Sequence, residues 1–264
     1  MEFAFLLMTY WFEDVQKKNM TGDWLQSALG KIKATNLKLN KSEYEICVKQ
    51  ITFFGDRLTR DGVQPDDKKV QAIHELKRSK TKEDVKRALG VINYLARFMP
   101  HELANSKVLS SLLKEDTAWE WSTQHEKEWN EIKTVLTNKP VLVCFDPRKQ
   151  TKISSDASKD ALGAVIMQLH DSKWLPITYA ARSMTDAECR YAQIEKECRG
   201  IVFACEKFHE YIYGAKRAAE TDHKPLLGKI KKSLSEMTPR LQRPMLRIRR
   251  YDIDLQYTPG KSLF

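Results

Sequence analysis

The spacing of apolar residues changes character near the middle of the chain. Between residues 67 and 137, apolar positions such as Val85, Leu89 and Ile92 recur every three or four residues, which predicts amphipathic helices over most of this stretch. After Pro140 the apolar runs become short or alternating, as they do in strands. We predict strands at residues 152–156, 162–169 and 175–179. The change of pattern predicts a boundary between two domains near Pro140.

The first part of the chain carries fewer signals. Residues 23–35 place apolar side chains at near-helical spacing, which predicts one helix, and residues 37–40 and 51–58 resemble strands. A turn is predicted at Asp61 and Gly62. Two aromatic residues could stack on bases, but aromatic side chains at helical spacing usually pack in cores. We therefore interpret both as packing residues, namely Trp24 and Tyr94.

A long helix and a fourth strand follow the three predicted strands. Apolar residues from Ile194 to Ile212 form one stripe, and Gly214 can end that helix. Residues 217–221 then predict a short strand. Pro244 lies in a later helical stretch and predicts a kink or a late start there, because a proline inside a helix costs about 3 kcal/mol. The predicted fold class is α+β, a helical part followed by a mixed sheet with flanking helices.

Three acidic residues occupy positions where this pattern could bring them together. Asp156 ends the first strand of the predicted sheet, Asp222 ends the fourth, and Glu197 lies one turn before Ile201 on the buried stripe of the long helix. Clustered carboxylates need a cation to offset their repulsion, and oxygen ligands favour hard divalent ions such as Mg²⁺. Two such ions, roughly 4 Å apart, could support attack on a phosphodiester. Taken singly, each acid is better interpreted as a solvated or capping residue.

The charge balance favours a polyanionic partner. Lys and Arg number 45 against 35 Asp and Glu, a formal charge of +10. Residues 229–250 hold eight Lys or Arg and one Glu, with four arginines near one helical face, so phosphates could bind there. The candidate nucleic-acid-binding residues are Lys229, Lys231, Lys232, Arg240, Arg243, Arg247 and Arg250. A solvated surface is the alternative, and His223 is similarly open between proton transfer and a structural role.

Cysteine usage and the start of the chain bear on location. The five cysteines show no Cys-x-x-Cys spacing, so neither zinc nor a disulfide framework is predicted. A reducing intracellular compartment, cytoplasmic or nuclear, is expected. The apolar run at residues 1–12 lacks a basic start and a small-residue cleavage site, and Glu13 and Asp14 interrupt it well short of about 18 residues. We predict neither a signal peptide nor a membrane span, and no membrane partner.

Several motifs, in the expected order, resemble the Pol polyprotein of gypsy-class long-terminal-repeat retrotransposons, over residues 37–261. Residues 52–55 with 61–62 resemble the hairpin that grips the primer in this family, and residues 89–98 resemble its thumb. The match continues at residues 119–121 and 140–142. The ribonuclease H signature of these elements is matched by residues 155–158, 195–197 and 221–226.

The resemblance implies an organisation into three regions. Residues 1–63 correspond to a remnant of the palm and primer-grip region, residues 64–139 to a helical thumb-like domain, and residues 140–264 to a ribonuclease H-like domain. The polymerase carboxylates of the family precede the matched region, and a fourth ribonuclease H aspartate follows it. The implied chain is truncated at both ends, lacks polymerase activity and is part of a larger Pol polyprotein.

The resemblance also assigns a site and an activity. It gives catalysis and metal ligation to Asp156, Glu197 and Asp222, and it favours Glu197 over an exposed Glu195, because the family places its ligand directly before the apolar run of the helix. Two Mg²⁺ ions, or Mn²⁺ instead, are the implied cofactor, and cleavage of the RNA strand of an RNA–DNA hybrid is the implied reaction. A remnant that binds nucleic acid without cutting it is the alternative, and an inert relic is a third.

Overall fold

A computed structural model describes residues 23–36, 38, 50–53, 55–75, 78–100, 106–114, 118–138, 141–230 and 232–260. Several sequence predictions lie outside these residues: the apolar run 1–12, most of the predicted strand 37–40, the boundary residue Pro140, and Lys231. The predicted first helix is present as α1 (Asp23–Ala34), although the side chain of Trp24 is likewise outside the description.

A three-stranded antiparallel sheet follows, formed by β1 (Gln50–Phe53), β2 (Asp56–Thr59) and β3 (Gly62–Pro65). The prediction of one strand over residues 51–58 is wrong, because the chain reverses at Gly55, whose φ is +76°. A glycine accepts this left-handed conformation without steric cost. The predicted turn before Gly62 is confirmed, and β2 pairs antiparallel with β3 across it.

The predicted helical region is confirmed and is divided into shorter elements. These are α2 (Asp67–Glu75), α3 (Lys82–Leu95), a 3₁₀ turn (Ala96–Phe98), α4 (Lys107–Ser111) and α5 (Thr123–Thr137). The α3 helix begins with a capping box between Thr81 and Asp84. Its apolar stripe is buried as predicted. Tyr94, however, is 43% exposed with the Lys69 ammonium 3.5 Å from its ring centroid, so the interpretation of Tyr94 as a packing residue is wrong.

The second sheet has five strands. The predicted meander is confirmed as β4 (Thr151–Ala157), β5 (Ala161–His170) and β6 (Lys173–Ser183), all antiparallel. The predicted fourth strand, β7 (Arg217–Thr221), pairs parallel to β4. An unpredicted strand, β8 (Ile253–Tyr257), pairs parallel to β7 and gives the order β6-β5-β4-β7-β8. The sheet is therefore mixed, as the predicted fold class requires.

Helices follow β6 and alternate with the last strands. They are α6 (Asp186–Cys189), α7 (Gln193–Lys207), α8 (His209–Ile212), α9 (Lys224–Ile230) and α10 (Pro239–Ile248). The prediction of one unbroken helix over residues 194–212 is wrong, because α7 ends before Phe208. The α10 helix begins at Pro239, so the predicted late start is also wrong, and it contains a buried Pro244. A proline in the first turn is favourable, whereas Pro244 removes one backbone hydrogen bond.

The two larger hydrophobic clusters among the described residues organise these elements. One lies between α7, α10 and the five-stranded sheet, and the other lies among α3, α4 and α5. The chain segment at Leu142 joins them, because Leu142 lies in the helical cluster and Val143 lies in the sheet cluster. Leu142 also exchanges two backbone hydrogen bonds, of 2.8 and 2.9 Å, with Val63 of β3. Tyr179 and Ala181 of β6 pack against the helical cluster. The division into three regions stays a prediction. In the described part of the chain, no helix has the length and apolar character needed to cross a membrane.

Candidate metal centre

The three candidate carboxylates converge. Asp156 lies in β4, Glu197 lies in the second turn of α7, and Asp222 directly follows β7. One carboxylate oxygen from each lies within 4.8 Å of the others. The topology explains the convergence, since β7 runs parallel to β4 as its neighbour and α7 packs across β4. The juxtaposition that the sequence predicted is therefore present.

Close backbone contacts hold this corner of the sheet. The α7 helix approaches β4 at Gly200, where an added Cβ would lie 3.7 Å from the Ser155 hydroxyl, an ordinary van der Waals contact. The chain after β8 returns to the site, because the Thr258 amide donates to the Thr221 carbonyl at 3.0 Å. Gly260 then lies so close to Asp222 that an added Cβ would be 3.0 Å from its Oδ2. The segment that follows β8 therefore packs against the Asp222 side chain.

Glu197 is the buried member of the group, with only 2% of its surface exposed. Its Oε1 accepts a hydrogen bond of 2.6 Å from the Gln193 amide, and its Oε2 has no hydrogen-bond partner among the described residues. Burial is the main cause that raises the pKa of Glu197, and the hydrogen bond from Gln193 opposes it. With the negative charges of Asp156 and Asp222 added, the pKa is raised to about 8. A buried carboxylate with an unpaired oxygen is costly unless a cation neutralises it.

The residues present fit a divalent cation. Three carboxylates supply hard oxygen ligands, which Mg²⁺ and Mn²⁺ accept. The unpaired Oε2 of Glu197 is an oxygen available for such a cation. Asp156 is half-buried and Asp222 is exposed, so the cluster is open to solvent on one side. An open side leaves room for water and a substrate oxygen to complete the coordination.

Two residues that the sequence singled out are close in sequence to members of the cluster, Glu195 to Glu197 and His223 to Asp222. Glu195 was expected to be exposed, but it is half-buried, and its Oε2 accepts from the Ala192 amide at 3.3 Å, as a helix-capping acid does. His223 is half-buried, and its Nδ1 has no hydrogen-bond partner among the described residues. Neither residue belongs to the group of three carboxylates.

Gln193 is a residue of the site that sequence reasoning missed. Its amide nitrogen donates both to Glu197 Oε1 and, at 3.0 Å, to the backbone carbonyl of Ala157. The only signal in the sequence is the four-residue spacing of Gln193 and Glu197, which places the two side chains on one face of a helix. That spacing is common in surface helices and does not by itself indicate a site.

Three of the candidate basic residues lie on α10, namely Arg240, Arg243 and Arg247. Contacts at its two ends show that α10 runs alongside α7 in the same direction: the Arg240 guanidinium lies 5.2 Å from the Tyr191 ring centroid, and Arg247 pairs with Glu206 at 3.3 Å. Arg250 follows the end of the helix, so the four predicted arginines do not share one helical face. Of the other candidates that the structure describes, Lys232 and Arg243 are exposed and Lys229 is half-buried.

Comparisons with known proteins place this fold. Residues 121–219 match the family model described as the RNase H-like domain found in reverse transcriptase. The structure of the foamy viral protease-reverse transcriptase in complex with RNA/DNA hybrid matches with a TM-score of 0.67 and 20% identity, over 83% of this chain and 30% of that chain. The fold is RNase H-like. The foamy viral protease-reverse transcriptase dRH in complex with ds DNA matches with a TM-score of 0.64 and 20% identity, over 79% of this chain and 38% of that one.

Similar sequences occur in transposon polyproteins. This chain is 32% identical over 238 residues to the Retrovirus-related Pol polyprotein from transposon 412 of Drosophila melanogaster. The matched region covers 90% of this chain and 19% of that protein. It is 29% identical over 241 residues to the Transposon Tf2-3 polyprotein of Schizosaccharomyces pombe, over 90% of this chain and 18% of that protein. The RNase H-like chain thus spans less than a fifth of the length of these curated relatives.

Proposed function

We propose that this chain is a ribonuclease H-type endonuclease of a gypsy-class retrotransposon Pol polyprotein, which hydrolyses the RNA strand of RNA–DNA hybrids. The observation that carries the proposal is the convergence of Asp156, Glu197 and Asp222, which bring one carboxylate oxygen each within 4.8 Å of the others. In addition, Glu197 has a buried oxygen, Oε2, without a hydrogen-bond partner among the described residues. A strongly perturbed carboxylate in such a cluster is typical of a functional site. The RNase H-like fold and the transposon relatives support the same activity class.

The three carboxylates have two kinds of role in this proposal. Glu197 is the fixed ligand, because burial and the Gln193 hydrogen bond hold its side chain in one position. Asp156 is half-buried and Asp222 is exposed, so these two carboxylates would hold the cations at the solvent-open side of the cluster. When bound, two Mg²⁺ ions supply activation of water and neutralisation of charge at the scissile phosphate. The cleavage would leave a 3′-hydroxyl and a 5′-phosphate.

Recognition of the hybrid is assigned to the basic surface and to sugar contacts. The exposed arginines of α10 extend from the α7 end that holds Glu197 and can neutralise backbone phosphates. Selection for RNA would rest on contacts to the 2′-hydroxyl, which DNA lacks. A structural neighbour is described in complex with RNA/DNA hybrid, which motivates the same substrate class for this chain.

Hybrid cleavage by matched variants tests the proposal. The purified chain, incubated with labelled RNA–DNA hybrid and Mg²⁺ or Mn²⁺, is expected to cut the RNA strand, whereas Asp156→Asn is expected to be inactive, since the amide keeps the shape and removes the charge. Asp254→Asn is the control, because Asp254 is an exposed acid of β8 that lies outside the cluster. It is expected to cut at the wild-type rate.

The outcomes separate the enzyme from its alternative. If wild type and Asp156→Asn cut at the same rate, the cleavage is contamination and the enzyme proposal fails. If the wild type binds hybrid without cutting it under any metal condition, the chain is a non-catalytic nucleic-acid-binding remnant.

A further inference from the structure

The amide of Gln193 links two of the elements that build the cluster. Gln193 is the first residue of α7, one turn before Glu197. Its Nε2 donates at 2.6 Å to Glu197 Oε1 and at 3.0 Å to the carbonyl of Ala157, the residue directly after Asp156. An amide NH₂ group has two hydrogens, so both are used. The helix that carries Glu197 is thereby tied to the strand that carries Asp156.

These two bonds fix the orientation of the Glu197 carboxylate. With Oε1 held by the amide, the carboxylate cannot rotate freely, and Oε2 is the oxygen left without a partner in the described part of the chain. A glutamine is suited to this position because it is neutral. A lysine or arginine there would also hold the carboxylate, but its positive charge would oppose binding of a cation.

We propose that Gln193 is a positioning residue of the metal centre: it presents Glu197 Oε2 to the cation and keeps Glu197 in register with Asp156. This inference rests on the proposed metal site. Groups that orient a metal ligand through a hydrogen bond typically change metal affinity by roughly 10- to 100-fold when they are removed. The loss of the Gln193 amide therefore weakens the metal site without removing any ligand.

Calorimetric titration of Mn²⁺ into the whole chain provides the test. Gln193→Met keeps the length of the side chain and removes the donor, and it is expected to weaken Mn²⁺ binding by roughly 10- to 100-fold. Gln71→Met is the matched control. Gln71 makes the same bond in α2, since its Nε2 donates at 2.6 Å to Glu75 Oε1 four residues later, but on an exposed surface outside the cluster. The control is expected to bind Mn²⁺ as the wild type does.

A kinetic readout separates positioning from simple contact with the substrate. In Gln193→Met, hybrid cleavage is expected to fall at low Mn²⁺ and to recover as Mn²⁺ rises, with the KM for hybrid unchanged. Should Gln193→Met fail to fold, Gln193→Asn carries the same test, because its shorter side chain cannot reach both acceptors.

Three results would overturn the inference. Equal Mn²⁺ affinity in Gln193→Met and the wild type would show that the amide does not position the ligand. A raised KM for hybrid with unchanged Mn²⁺ affinity would make Gln193 a substrate contact instead. If the wild type itself binds no Mn²⁺ through Asp156, Glu197 and Asp222, the proposed function fails together with this inference, and that result is recognised without any Gln193 variant.

Discussion

Glu197 carries the main energetic cost of the cluster. Its pKa in the folded chain is about 8, against a usual value of 4.5, with burial as the largest cause. Between these two values the folded protein holds the proton more tightly than the unfolded chain does. The metal-free fold is therefore expected to lose stability as pH rises from about 4.5 to 8, and to level off above that.

Glu197→Gln is expected to remove this pH dependence. Each pKa unit corresponds to about 1.4 kcal/mol, so above pH 8 the metal-free variant is expected to be more stable than the wild type by a few kcal/mol. Near pH 4 the two proteins are expected to be similar, because Glu197 is then protonated in both the folded and the unfolded wild-type chain. Urea unfolding in EDTA at pH 4, 6 and 9 measures the difference. A constant difference across this range would contradict the account, and added Mn²⁺ should stabilise the wild type alone.

At the residue scale, the sequence predicted which three carboxylates lie close together, but it did not predict the hydrogen bonds of Glu195 and Gln193 near them. Asp156 and Asp222 were identifiable because each ends a strand, and Glu197 because it lies on an apolar helical stripe. The half-buried capping role of Glu195 depends on where α7 begins, and a boundary of that kind is not fixed by apolar spacing. The role of Gln193 depends on a carbonyl in a distant strand, which no local pattern reports.

At the element scale, alternation and helical spacing found β4 to β7 and most helices. The last strand, β8, was not predicted, although Ile253, Leu255 and Tyr257 alternate with polar residues. Alternation over only five residues is a weak signal, and the pairing with β7 that makes this segment a strand is not visible in the local sequence. The break between α7 and α8 was missed for a different reason. The apolar stripe continues through Phe208 and Ile212, which both remain buried after the helix ends.

Two glycines give opposite expectations for the same substitution. Gly62 has a φ of +139°, and an added Cβ would lie 2.2 Å from the Leu142 carbonyl oxygen, where β3 meets the segment that leads into the five-stranded sheet. Gly62→Ala is expected to lower the free energy of unfolding by about 1–3 kcal/mol, because both the conformation and the contact resist a side chain. Gly90 lies within α3 with nothing within 4 Å of an added Cβ, so Gly90→Ala is expected to raise it by about 1 kcal/mol.

Thermal or urea unfolding of the two variants measures these changes. A neutral Gly62→Ala would mean that the pairing of Val63 with Leu142 is not a stabilising junction. A destabilising Gly90→Ala would mean that the exposed face of α3 is not free to accept a methyl group.

At the scale of the whole molecule, part of the net positive charge of the sequence is concentrated on one surface. Exposed arginines line α10, which packs against the helix that carries Glu197. The sequence predicted the basic run, but it could not predict that Arg247 would be paired with Glu206 or that Arg250 would lie beyond the helix. Those facts depend on the end of α10 and on its packing against α7. The arginines that are both exposed and unshielded by an acid are therefore expected to contribute most to binding.

Salt dependence measures that contribution. Each neutralised phosphate releases counterions and adds about 0.9 to the slope of log affinity against log salt. Arg243 and Arg250 are exposed, so the double variant Arg243→Gln and Arg250→Gln is expected to bind RNA–DNA hybrid more weakly and with a slope smaller by roughly two. The control removes the same charge elsewhere, with Lys127→Gln in α5 and Lys173→Gln at the start of β6, and it is expected to keep the wild-type slope. Fluorescence anisotropy between about 50 and 200 mM salt gives the slopes. If both double variants lower the slope equally, the positive charge acts through the net field of the molecule rather than through a phosphate-binding surface at α10 and the residues that follow it.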